Sequence, residues 1–199
     1  MTAAPDPRAG ASTSAASAAG APELEVGEDG WVPLARRVES PNADARPAGA
    51  EIELLVIHCI SLPPGGFGSG DVLRLFTNRL DPAAHPFYAG LDGLRVSAHF
   101  LIERDGTLTQ CVGCRERAWH AGESSFRGRP RCNDFSIGIE LEGSEFEPFT
   151  ASQYAVLSAL ARALARAYPI RAVVGHADIA PGRKTDPGPL FDWDRVLKL

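Results

Sequence analysis

Few side chains can activate water or carry a proton near neutral pH, and in this chain of 199 residues the promising ones cluster in a few segments. His58 stands near the end of EIELLVIHCI, His176 follows the opening RAVVG of RAVVGHADIAPGRKTDPGP, and Asp186 lies further along that segment. Two imidazoles and one carboxylate meet the needs of a catalytic zinc, which takes three nitrogen or oxygen ligands and keeps one position for water. His99, His120 and Asp178 compete for those roles, and no compact motif such as HExxH ranks them. Asp178 is only two residues from His176, an awkward spacing in an extended segment. His99 falls within an apolar alternating stretch, where a packed histidine is the ordinary finding. His120, in AWHAG, reads equally well as a substrate contact or a packed ring. Hydrolysis of an amide by a metal-activated water also needs a proton shuttle for the departing amine. Glu140 suits that task, with Glu142 as a rival on the same strand face. Lys184 offers a cation for a developing oxyanion. All three carboxylate and lysine positions read equally as solvated charges.

The chain has four cysteines, and Cys111 and Cys114 form a CxxC. No second CxxC completes a zinc ribbon, and this one ends a strand where a redox pair would open a helix. They read as small packed thiols.

These groups need a scaffold. Residues 51–60 are apolar and β-branched, the pattern of a buried strand that ends beside His58. A loop, LPPGGFGSG, leads to a helix through Leu80 capped by Ser69 or Asp71. The stretch DPAAHPFYAGLDG is too rich in Pro and Gly for regular structure. A strand over 94–103 turns at Asp105-Gly106 into a hairpin partner. Residues 135–142 alternate, with Ile137, Ile139 and Leu141 on one face and Ser136, Gly138, Glu140 and Glu142 on the other. Thr150 and Gln153 form a capping box for a helix to Tyr168, whose apolar stripe is Tyr154, Leu157, Leu160, Leu164 and Tyr168. A last strand over 171–175 delivers His176. Strands and helices mixed with a hairpin imply an α/β fold with a mixed central sheet flanked by helices.

Apolar residues make up 44% of the chain, enough for one core, and the net charge is −5. Broad phosphate contacts would call for a basic protein, so nucleic-acid binding is not expected. The longest apolar runs fall short of a membrane span. Residues 1–22, rich in Ala, Ser and Pro, read as a disordered tail without the apolar centre of a signal peptide. The expectation is a cytoplasmic, monomeric protein with one domain over 23–199.

Several long words change the weighing. VIHCISLPPGGFG, LDPAAHPF, LRVSAHFLIERDGTLTQ, RAWHAGESSFRGRPRCNDFSIGIELEG and GHADIAPGRKTDPGPLFDW occur in order. Over roughly residues 28 to 197 the chain resembles the AmpD-type 1,6-anhydro-N-acetylmuramoyl-L-alanine amidases, members of the zinc amidase and peptidoglycan recognition protein family. The resemblance implies a zinc groove on one side of the sheet, with His58, His176 and Asp186 as ligands. It implies Glu140 as acid/base and Lys184 as oxyanion stabiliser. It implies cleavage of the amide between a muropeptide's lactyl group and L-alanine, in cell-wall recycling. Leu94, Arg95, Trp119, His120, Arg131 and Ala180 fall at or near family positions that face the muropeptide. Two words depart from the pattern, CVGC mildly, where family residues are usually bulkier, and the first ligand's word more consequentially. Family members commonly read His-Asn at the first ligand, and this chain reads His58-Cys59. Alternation turns Cys59 away from His58, so it is not expected as a fourth ligand. The alternative function is a binding module that holds wall fragments without cutting them, the state some family members reach after losing a zinc ligand.

Overall fold

The computed structural model describes residues 23–196, so the expected tail over 1–22 lies outside the described residues. In chain order the strands and α-helices are β1 (Arg36–Arg37), β2 (Ala43–Ala45), β3 (Leu54–Ile60), α1 (Asp71–Phe76), β4 (Phe100–Ile102), β5 (Leu108–Gln110) and β6 (Glu116–Ala118). There follow β7 (Ser125–Phe126), β8 (Arg129–Pro130), β9 (Ser136–Glu142), α2 (Ala151–Ala167), β10 (Ala172–Gly175) and α3 (His176–Ile179).

Two long apolar strands set the layers. β3 and β9 lie side by side and parallel at the centre of a six-stranded sheet of order β1-β5-β4-β9-β3-β10. Only the β4–β5 hairpin runs antiparallel within it. The sheet is therefore mixed, as expected. Leu55, Ile57, Ile137, Ile139 and Leu141 join the core that α2 covers. Leu54 and Val56 belong to a second core on the other face, with Ala121, Cys132, Phe135 and Ile179. Alternation along β3 then puts His58 on this second face.

α2 forms as its sequence signals predict. Thr150 Oγ1 accepts the N–H of Gln153, and Gln153 Oε1 accepts the N–H of Thr150, which closes the capping box. Tyr154, Leu157, Leu160 and Leu164 are buried along its stripe. The fully buried Gln153 also donates to the carbonyls of Ile102 and Glu142, which ties α2 to the ends of β4 and β9. The hairpin turns at Asp105-Gly106, where Asp105 Oδ1 accepts the N–H of Thr107 and Gly106 takes φ 92°.

Three expectations are corrected. The helix after the first loop spans only Asp71–Phe76, and its N-cap is Gly70 in the left-handed region rather than Ser69 or Asp71. The Pro/Gly-rich stretch holds a 3-10 turn over Pro86–Leu91, begun by the His85 ring accepting from Phe87 N–H. The strand expected over 94–103 is regular only at Phe100–Ile102. Upstream of it, Ser97 N–H is drawn to the Trp119 carbonyl and Ser97 Oγ donates to Asn42, so the chain serves a neighbouring loop instead of the ladder.

Among the described residues no helix is long and apolar enough to cross a membrane. The four cysteines are free, and Cys111 and Cys114 are buried packing residues.

Candidate metal centre

Because β3, β9 and β10 run parallel, their carboxyl ends meet at one edge of the sheet, the edge where α/β sheets place ligands. Cross-strand register pairs His58 directly with Glu140. β10 hands over His176 as the first residue of α3. Gly175 lets the returning loop approach, since a Cβ there would lie 2.8 Å from Pro187 Cδ. Ala177 N–H donates to the Asp186 carbonyl and completes the return.

The result is a triangle. His58 Nδ1 and His176 Nδ1 are 3.0 Å apart, and Asp186 Oδ2 lies 3.1 and 3.2 Å from them. His58 and His176 are buried and Asp186 nearly so. The other nitrogens are committed elsewhere. His176 Nε2 faces the Ala121 carbonyl at 3.0 Å, and a carbonyl only accepts, so that nitrogen carries the proton. Burial lowers the His58 pKa to about 4, so its ring is neutral at pH 7. Burial opposes the charge of Asp186, but contacts with His176 and His58 outweigh it and hold the carboxyl below its ordinary range. Three donor atoms thus converge, and a divalent cation would displace whatever proton they share. The donor set and its burial fit a metal.

The rival ligands have other partners. Asp178 Oδ2 accepts the Gly175 N–H at 2.7 Å and caps α3. His99 is buried behind the site, where its Nδ1 accepts the Gly138 N–H and its pKa is lowered to about 3 by burial and by Arg46. Cys59 is not in the converging set. It packs against the α2-side core, and burial pushes its thiol up.

A cleft of about 330 Å³ opens over the triangle. Glu140 and Lys184 line it with the three candidate ligands, and so do Leu94, Trp119, His120 and the partly exposed Phe87. Glu140 is 9% exposed, and its Oε2 has no hydrogen-bond partner. Burial, and then the charge of Asp186, push its carboxyl well above the usual range, while Lys184 pulls the other way. Glu142, the rival, is engaged elsewhere: it accepts the N–H groups of Gly68 and Arg104, which anchors the loop after β3. Arg95 lines an adjoining hollow. Arg131 is exposed and paired with Asp134. Ala180 is buried, and its carbonyl accepts the backbone N–H of Lys184.

Sequence reasoning missed Arg46. Its guanidinium donates to the carbonyls of Cys114, Asn133, Asp134 and Ser136. It also missed Asn133, whose Oδ1 accepts the N–H groups of His120 and Ala121. Neither carries a local signal, because their partners are brought by distant segments.

The family model for N-acetylmuramoyl-L-alanine amidase matches residues 48–189. The chain belongs to the N-acetylmuramoyl-L-alanine amidase family. Within that family it is 56% identical to the 1,6-anhydro-N-acetylmuramyl-L-alanine amidase AmpD of Citrobacter freundii over 174 residues, 86% of this chain and 93% of that one. It is equally identical to AmpD of Escherichia coli K12, covering 95% of it. The fold of this amidase-family chain matches a selenomethionine derivative of AmpD with a TM-score of 0.83 over 84% of this chain and 95% of that one, at 56% identity. It also matches AmiD of Escherichia coli, solved with anhydro-N-acetylmuramic acid-L-Ala-D-gamma-Glu-L-Lys, with a TM-score of 0.55 and 34% identity over 75% of this chain and 58% of that one.

Proposed function

We propose that this chain is a zinc-dependent hydrolase that cleaves the lactyl–L-alanine amide of 1,6-anhydro-N-acetylmuramoyl peptides in cell-wall recycling. The observation that carries the proposal is the triangle of His58, His176 and Asp186 beside a buried, partnerless carboxylate oxygen of Glu140. The three donor atoms lie 3.0–3.2 Å from one another, close enough for one ion to be held by all three. The choice of the anhydro-muropeptide rests on the AmpD relatives and on the ligand named for AmiD.

Zinc, when bound, supplies a Lewis acid that polarises the amide carbonyl and acidifies a water. Glu140 takes the proton from the attacking water and later gives it to the alanine nitrogen as the bond breaks. Lys184 faces the oxyanion and shares its charge. Leu94, Trp119 and His120 line the cleft that receives the muropeptide, and Ala180 supports it by holding the backbone N–H of Lys184. Arg95 and Arg131 suit the carboxylates of the stem peptide, because a guanidinium binds them bidentately. One chain provides every group named, so the site is complete in a monomer.

The test is direct. The protein should carry stoichiometric zinc and release free peptide from anhydro-muropeptide, and His176→Ala should lose both. Zinc-loaded protein that binds the muropeptide and leaves it intact would show a binding module instead.

A further inference from the structure

The cleft contains a third histidine that the proposed chemistry does not use. His120 Nδ1 lies 2.9 Å from His58 Nε2, on the side of the His58 ring away from the triangle. His120 Nε2 lies 3.2 Å from Ser136 Oγ. The direction of this chain follows from its far end. Ser136 Oγ donates its one proton to the Cys132 carbonyl at 2.6 Å, so toward His120 it accepts. His120 Nε2 therefore carries the proton of the neutral ring. Its Nδ1 is then an acceptor for His58 Nε2–H. The consequence reaches the triangle: with its proton at Nε2, His58 turns a lone pair at Nδ1 toward His176 and Asp186.

The sheet is shaped around this ring. Ser136, Gly138 and Glu140 share one face of β9, and a Cβ on Gly138 would lie 2.4 Å from His120 Cγ. Ser136 accepts the hydrogen bond of the ring's Nε2–H, Gly138 leaves the ring room, and Glu140 faces the cleft. The same loop serves the second histidine, since Ala121 offers its carbonyl to His176 Nε2. Asn133 holds both loop amides, and Arg183 also donates to the Ala121 carbonyl.

We propose that His120, held by Ser136, is a positioning residue that fixes the tautomer and ring orientation of His58 for metal binding. The inference rests on the His58, His176 and Asp186 reading of the metal centre. Partners of this kind orient metal-binding histidines, and their loss weakens affinity about 10–100-fold.

The experiment measures zinc affinity by competition with a chromophoric chelator, on the metal-stripped full chain and two variants. His120→Asn places an amide oxygen where Nδ1 was and keeps an acceptor for His58. His120→Gln places its amide near the old Nε2 position and removes that acceptor. Both lose the ring, so a contribution from packing alone falls on both alike. The expected result is a loss of about 10–100-fold for His120→Gln, with most of it restored in His120→Asn. The visible spectrum of the cobalt(II)-loaded protein should likewise change in the first and hold in the second. Equal affinities in the two variants, whether unchanged or equally weakened, would overturn the relay while leaving the metal centre intact. A wild-type chain without zinc affinity would overturn the metal centre itself, and the relay with it.

Discussion

Glu140 has an environment that water would normally oppose. Its carboxylate is buried beside Asp186, and both effects favour the protonated form. A carboxyl raised above its ordinary range is the kind of group that can take a proton and return it within one cycle, as hydrolysis of an amide requires. Glu140→Gln keeps the shape and removes the proton transfer. Turnover should fall about 10²–10⁴-fold while zinc content is unchanged. A variant that lost its zinc would mark Glu140 as a ligand and refute the shuttle. In the proposed mechanism Lys184 acts on the transition state, so Lys184→Met should lower kcat by about 10²–10³-fold with KM and zinc content nearly constant. A rise in KM at constant kcat would assign it to ground-state binding instead. The residues alone left Glu140 and Glu142 undecided, because alternation puts both on one strand face. The separating facts are the Gly68 and Arg104 amides that occupy Glu142, and these come from loops that periodicity does not connect to β9.

At the scale of elements, legibility followed the strength of local signals. β3, β9, β10 and α2 were readable because burial, alternation and a capping box all pointed the same way. Residues 94–97 alternate like a strand, yet their hydrogen bonds go to loops, and only the assembled fold decides that. The turn after β8 is a sharper case. Arg131 begins it in the left-handed region with φ 63°, and the turn then presents Asn133 to the metal-side loop. Arg46, distant in sequence, clamps the turn by donating to the Asn133 and Asp134 carbonyls and beyond it to Ser136. Burial lowers its pKa to about 10, and it remains charged at neutral pH. An ammonium cannot reproduce that planar fork. Arg46→Lys should therefore strand buried carbonyls, at about 1–3 kcal/mol for each one left unsatisfied. Urea unfolding would show the loss as a lower midpoint with an unchanged slope. A midpoint equal to wild type would mean that waters or a shifted turn satisfy those carbonyls equally well.

The whole molecule holds these buried imidazoles neutral, and that couples its stability to pH. Burial lowers the pKa of His58 to about 4 and of His99 to about 3, and carries His120 well below its ordinary value. In the unfolded chain each returns to about 6.5. As the pH falls below that value, the unfolded chain takes up protons that the fold refuses. The stability is thus fully present above about pH 6.5 and is lost as the pH falls toward the folded values. The slope is about 1.4 kcal/mol per pH unit for each histidine. Glu140 acts with the opposite sign. Its raised carboxyl contributes stability below the ordinary carboxylate range, and that contribution is lost as the pH rises through its folded value. The Glu140→Gln background removes this opposing limb. In chelator-treated protein of that background, the unfolding free energy from urea titrations should fall between neutral pH and about pH 5 by more than one histidine can explain. Saturating zinc should steepen the fall, because the metal binds the folded state and its ligands must be deprotonated. A flat profile without metal would mean that these rings take up protons in the fold at the same pH as in the unfolded chain. The buried, water-excluded setting assigned to His58, His99 and His120 would then be wrong, and the packing of the metal centre and of the relay behind it would have to be redrawn.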